Sequence, residues 1–136
     1  MTRPAPEQLD ELVAVARDAR ERAYAPYSRF LVGAALLNDD GGVTPGANVE
    51  NASYGLGMCA ERTAVFRAVS EGARAFEVVA VVGSNPQPAW PCGACRQVLW
   101  EFGPEMIVVS EGLDGTREEY RLADLLPNAF GPADLA

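Results

Sequence analysis

The chain carries three cysteines and no histidine, and the cysteines fall as Cys59-Ala60-Glu61 and, more than thirty residues later, Pro91-Cys92-Gly93-Ala94-Cys95. Zinc favours four ligands. A site with three protein ligands keeps one position for a water, whose pKa the metal lowers toward ~7. Hydrolytic chemistry is then open to a chain without an imidazole. The absence of histidine excludes serine-type triads, cysteine–histidine proteases and histidine-ligated zinc hydrolases, all of which need a ring nitrogen. Thiolate zinc remains, or no metal chemistry at all.

Taken alone, Cys92 and Cys95 suit a redox dithiol as well as they suit zinc. Cys59 alone reads as a small buried hydrophobe and Glu61 alone as a solvated helix residue. A redox dithiol, however, has no use for a third cysteine followed two residues later by a carboxylate. The combination therefore points to one zinc held by Cys59, Cys92 and Cys95, with Glu61 beside it as acid and base. Three thiolates around a divalent cation leave a net charge of about -1, which weakens the metal as a Lewis acid. Arg62 could offset this by hydrogen-bonding the sulfurs; the alternative is an exposed helix arginine.

Composition bounds the partners. At 136 residues and 49% hydrophobic content the chain fits one compact domain, residues 1–136. No apolar run approaches the ~20 residues of a membrane span, and the stretch from Met1 to Pro6 lacks the form of a signal peptide. An odd number of thiols, two of them close together, fits a reducing compartment, so a cytoplasmic location is expected. Acidic residues outnumber basic ones 19 to 11, for a net charge of -8, with no basic cluster. A binder of long nucleic acid normally carries a basic groove. The expected ligand is small and is neither a polynucleotide nor a membrane.

Helical and strand patterns alternate along the chain. Leu9, Leu12, Val13, Ala16 and Ala19 recur at helical spacing between Pro6 and about Tyr24. Phe30 to Leu37 reads as a strand, turned by Asn38-Asp39-Asp40-Gly41-Gly42 into a second that ends near Asn48. Cys59 to about Glu71 has Ala64, Val65, Ala68 and Val69 on one helical face, stopped by Gly72. Phe76 to Gly83 fits a buried strand. A third helix spans about Cys92 to Phe102, Met106 to Ser110 gives another strand, and Arg117 to Arg121 a fifth before the short Leu122 to Leu126 segment. Tyr24, Tyr27 and Trp100 read as packing groups.

This order of elements explains the cysteine spacing. Cys59 and Cys92 each fall where a helix starts, and unpaired N–H groups with the helix dipole favour thiolate there. The strand from Phe76 lies between the two helices as a βαβ-like crossover, which lets both helix starts meet at one end of a sheet.

Four runs, together with the tail, resemble the small, tetramer-forming nucleoside cytidine deaminases over nearly the whole chain. They are Tyr27-Ser28-Arg29-Phe30-Leu31-Val32-Gly33-Ala34-Ala35, Asn48-Val49-Glu50-Asn51-Ala52-Ser53-Tyr54, Cys59-Ala60-Glu61-Arg62-Thr63-Ala64 and Pro91-Cys92-Gly93-Ala94-Cys95-Arg96-Gln97-Val98, followed by Leu125-Leu126-Pro127-Asn128-Ala129-Phe130-Gly131-Pro132. A three-cysteine zinc with a nearby glutamate is the arrangement of zinc deaminases. The resemblance implies an α/β fold of three α-β-α layers, with a mixed five-stranded sheet flanked by helices. It also implies zinc-dependent deamination of cytidine and 2'-deoxycytidine to uridine and 2'-deoxyuridine in pyrimidine salvage. The expected assembly is a homotetramer whose active sites lie near subunit interfaces.

The resemblance further implies roles for single residues. Cys59, Cys92 and Cys95 would hold zinc, and Glu61 would move protons between the attacking water, ring N3 and the departing amine. The Trp90 carbonyl would meet the leaving nitrogen, and backbone N–H groups at Ala60 and Glu61 the ring O2. Asn48 and Glu50 would hydrogen-bond the ribose 3'-hydroxyl. Phe30 would stack near the base, and Phe130 would close a pocket, in its own chain or a neighbouring subunit. The family places a small residue before Pro91, so the Trp90 ring is expected to reshape the pocket entrance. Two other readings keep the zinc: a deaminase of a cytosine-containing antibiotic such as blasticidin S, against which the Asn48 and Glu50 pair counts, and a structural zinc module, which needs a fourth protein ligand.

Overall fold

The structure is a computed structural model that describes residues 4–135; the expectations drawn from residues 1–3 lie outside the described residues. The chain runs α1 (Pro6–Arg20), β1 (Gly33–Asn38), β2 (Val43–Ala47), a 3-10 turn at Tyr54–Leu56, α2 (Ala60–Ser70), β3 (Phe76–Val82), α3 (Gly93–Phe102), β4 (Ile107–Glu111), β5 (Arg117–Arg121), α4 (Leu122–Leu125) and a last 3-10 turn at Pro132–Asp134. The five strands form one mixed sheet in the order β2-β1-β3-β4-β5, parallel only between β3 and β4. This is the expected three-layer fold. No helix of the described residues is long and apolar enough to cross a membrane.

Side-chain alternation on the strands divides the core in two. Ala35, Leu37, Val78, Ala80, Val82 and Val109 face α1 and bury Leu9, Leu12, Val13 and Ala16. Ala34, Leu36, Val79, Val81 and Val108 face the other way, onto Ala60, Ala64, Val65 and Ala68 of α2 and Leu99 of α3. A sheet covered on both faces needs strands apolar on both faces, which is why β3 reads as an unbroken hydrophobic run.

Strand direction brings the two helix starts together. β1 is antiparallel to both β2 and β3, so β2 and β3 run the same way. α2 follows β2 and α3 follows β3, so both helices begin at the same edge of the sheet.

Several boundaries differ from the sequence reading. α1 stops at Arg20 rather than Tyr24, since the Tyr24 N–H turns to the Asn48 carbonyl instead of continuing the helix. β1 begins at Gly33 rather than Phe30. Arg29 adopts a left-handed φ of 61, and side chains take the ladder positions of the next residues: Ser84 bonds both polar groups of Leu31, and Asn48 bonds the Phe30 carbonyl and Val32 N–H. Tyr24 and Tyr27 are 56% and 47% exposed, so neither is a core packing group, whereas Trp100 does pack against the core.

Candidate active site

Cys59 and Cys92 are the residues that precede the first turns of α2 and α3, in extended backbone, and neither side chain caps its own helix. Ser, Thr, Asp or Asn would normally stand there and bond back to the helix. A thiol in that position leaves its sulfur free to point outward. Cys95 sits on the first turn of α3 and is fully buried.

The three sulfurs converge. Cys59 and Cys92 Sγ are 3.9 Å apart, Cys92 and Cys95 Sγ 3.5 Å, and all three lie within 4.8 Å of one another. Tetrahedral zinc with Zn–S bonds of ~2.3 Å requires sulfurs roughly 3.8 Å apart, so the donor set fits that ion. The thiols are not disulfide-bonded, and among the described residues no fourth cysteine, histidine or carboxylate completes the cluster. A structural zinc module would need that fourth ligand.

Charge follows the geometry. Cys59 is drawn down to about 5, first by its hydrogen bond with Cys95, with help from the Arg62 guanidinium. Cys95 is pushed up by the same hydrogen bond and by burial. Arg62 Nη2 lies 3.4 Å from Cys59 Sγ, where its charge offsets that of the sulfurs. Glu61 is 4% exposed, and burial raises its carboxyl to about 7. A carboxyl poised near neutrality can both take and give a proton.

A cavity of about 410 Å³ opens from the sulfurs outward, lined among others by Cys59, Ala60, Glu61, Trp90, Phe30, Asn48 and Glu50. Cys59 and Cys92 lie in its wall together with the polar side chains of Asn48 and Glu50. Phe30 lies against Gly83, where a Cβ would stand 3.3 Å from the ring. At Asn48 the amide oxygen accepts from Val32 N–H and the amide nitrogen donates to the Phe30 carbonyl, both at 2.9 Å, leaving one N–H and one lone pair for a ligand. One oxygen of Glu50 accepts from the N–H groups of Tyr27 and Ser28 at 3.1 Å each, and the other from the Ser28 hydroxyl. These bonds hold Glu50 below the usual carboxylate range, the Ser28 hydroxyl contributing most.

Trp90 lines the cavity, and Phe130 is not among its lining residues. The Trp90 ring is anchored edge-on against Tyr120 of β5, centroids 4.9 Å apart, so its bulk is tied to the neighbouring strand. Phe130 does not reach the cavity of its own chain: it is 57% exposed, its carbonyl accepting from Gln97. The sequence reading missed Ser28, Tyr54 and Met58, which also line the cavity. Ser28 and Tyr54 stand inside the runs that carried the resemblance, but nothing in their types marks them. A second hollow of about 280 Å³ adjoins the first across Glu50, walled by Tyr27 and Tyr54, whose rings lie 5.9 Å apart.

Comparison with known proteins agrees with this arrangement. The family model for the cytidine and deoxycytidylate deaminase zinc-binding region matches residues 6–111. A cytidine deaminase of Sporosarcina psychrophila is 50% identical over 129 residues, which is 94% of this chain and 95% of that protein. The crystal structure of cytidine deaminase from Burkholderia pseudomallei superposes with a TM-score of 0.86 at 53% identity, covering 89% of this chain and 98% of that one. That from Mycobacterium tuberculosis superposes with a TM-score of 0.79 at 46% identity, covering 90% and 96%.

Proposed function

The chain belongs to the cytidine and deoxycytidylate deaminase family, and on that premise we propose that residues 1–136 act as one catalytic domain hydrolysing cytidine and 2'-deoxycytidine to uridine and 2'-deoxyuridine with release of ammonia. The observation that carries the reading is the convergence of three thiols, with no fourth protein donor among the described residues, beside a cavity whose wall includes Cys59, Cys92 and the buried Glu61.

Cys59, Cys92 and Cys95 would hold the zinc. When bound, it supplies Lewis acidity that makes water reactive near neutral pH. The protein's own groups do the rest. Glu61 takes a proton from the attacking water and places it on ring N3 as oxygen adds at C4; it then takes the remaining proton from that oxygen and delivers it to the departing amine, the C4–N bond breaking as the C4 carbonyl forms. Its burial supports this role, because a carboxyl raised to about 7 exchanges protons at little cost at neutral pH. Ala60 and Glu61 offer first-turn N–H groups of α2 to ring O2. The Trp90 carbonyl accepts from the leaving amine, and Phe30 stacks on the base.

Asn48 gives its remaining N–H and Glu50 its one remaining lone pair to the ribose 3'-hydroxyl. A polyanion is disfavoured there by the Glu50 carboxylate and by the net charge of -8. The assembly is a homotetramer in which Phe130 closes the cavity of a neighbouring subunit. Its support is exposed apolar surface at Tyr54, which lines the cavity and is 79% exposed, at the nearby Leu56, 72% exposed, and at Phe130 itself. The physiological setting is cytoplasmic pyrimidine salvage.

The test is the ultraviolet absorbance of cytidine mixed with zinc-analysed protein. Loss of the cytidine band with equimolar ammonia supports the reading. No turnover at one zinc per chain rejects cytidine as substrate and directs the next assay to blasticidin S.

A further inference from the structure

The loop from Ser84 to Pro91 carries the Trp90 carbonyl and leads into Cys92, and it is tied down along its length. The Ser84 hydroxyl is bonded to Leu31. The Asn85 and Pro86 carbonyls accept from Leu113 and Asp114 N–H in the β4–β5 turn. Gly112 lies so close to that stretch that a Cβ on it would stand 1.9 Å from the Pro86 oxygen. The Ala89 carbonyl accepts from Ser110 Oγ at 2.7 Å, and the Pro91 carbonyl from Arg96 Nε at 2.7 Å. Among the described residues the Trp90 carbonyl, between those two, accepts nothing.

Ser110 is out of place by composition. It is fully buried on β4, paired with Val81 and on the same face as Val108, where the surroundings are apolar. A buried hydroxyl without a partner is unfavourable, and this one spends its proton on the carbonyl next to Trp90. Tyr120 of β5 pairs with Val108 and so shares that face, and its ring meets the Trp90 ring at 73°. β4 and β5 therefore fix Trp90 from two sides, through the backbone before it and through its side chain.

We infer that Ser110 is a positioning residue for the deamination, setting the direction of the Trp90 carbonyl through the Ala89 carbonyl, with Tyr120 holding the Trp90 ring in the same orientation. This rests on the reading above, in which that carbonyl accepts from the leaving amine. A carbonyl aimed at a departing group acts on the turnover step, and misplacing it by about 1 Å can cost on the order of 100-fold.

The experiment compares zinc-loaded wild type with Ser110→Ala, Tyr120→Leu and, as a control, Val109→Ala, which is equally buried but faces α1. Tyr120 is 46% exposed, so its replacement spares the fold even if Ser110→Ala does not fold. Ser110→Ala and Tyr120→Leu should keep one zinc per chain and lose about 10- to 100-fold in kcat, with KM changed less than about threefold. Val109→Ala should lower Tm with kcat unchanged. Wild-type kcat in Tyr120→Leu and in any folded Ser110→Ala overturns the inference, as does a kcat loss in Val109→Ala that matches theirs at equal loss of Tm. An inactive wild type is a different result, rejecting the deamination reading itself.

Discussion

Gly46 on β2 lies against Ala64 on α2 so closely that a Cβ on the glycine would stand 2.5 Å from the Ala64 nitrogen and 2.8 Å from the Ala64 Cβ. One turn earlier, the Ala60 carbonyl would be 2.7 Å from the same atom. This contact sets how near the first turn of α2 comes to the sheet, and that turn carries Ala60 and Glu61, with Cys59 just before it. Gly46→Ala should therefore push α2 outward, costing about 1–3 kcal/mol by overpacking. Thermal unfolding and zinc affinity should both fall. An unchanged Tm with full zinc occupancy would show that the helix has room to spare.

Glu61→Gln keeps the size of the side chain and removes its ability to shuttle a proton. Fold and zinc content should persist while kcat drops by about 10²–10⁴-fold. Retained turnover in a zinc-analysed sample would remove Glu61 from the mechanism.

Cys95→Ala takes away the fully buried thiol and leaves two sulfurs. Two ligands do not hold zinc firmly, and metal binding is coupled to folding. The variant should be purified with little zinc and unfold at lower temperature. A fully metallated variant of wild-type Tm would contradict the ligand assignment.

Glu50 yields a pH prediction. Its pKa in the folded chain lies below the ordinary 4.5, through hydrogen bonds from the Ser28 hydroxyl and N–H and from Tyr27 N–H. A depressed folded pKa means the carboxylate stabilises the fold above its unfolded pKa and loses that contribution as pH falls through the folded value. The Tm difference between wild type and Glu50→Gln should be greatest well above pH 4.5 and shrink as pH falls below 4.5. A difference constant over that range would mean the carboxylate charge does not hold the segment.

Phe130→Ala tests the assembly. The ring is exposed and outside the cavity of its own chain, so a role in a neighbour's cavity predicts a raised KM together with a weaker oligomer by light scattering. If neither changes, the ring is an exposed side chain without function.

The metal chemistry was legible from residue types alone. With no histidine, three cysteines and one carboxylate in those positions left few possibilities, because zinc ligation depends on donor chemistry and the donors are few. The elements were legible to within a few residues wherever apolar periodicity decides them, as in β3 and α2. The reading failed at Phe30 to Val32, where Asn48 and Ser84 side chains stand in for a strand partner. Periodicity cannot show which hydrogen bonds a side chain will take over from the backbone.

The sequence by itself determined the thiol donor set, the carboxylate placed beside it and the alternation of helices and strands, since these depend on residue type and on spacing along one element. Only the tertiary structure decided that β2 and β3 run the same way and so start α2 and α3 at one edge, that the Trp90 ring meets Tyr120 edge-on, and that Phe130 does not line the cavity of its own chain. Each of those depends on contacts between residues far apart in the chain, whose geometry is fixed by strand register and packing rather than by local preference.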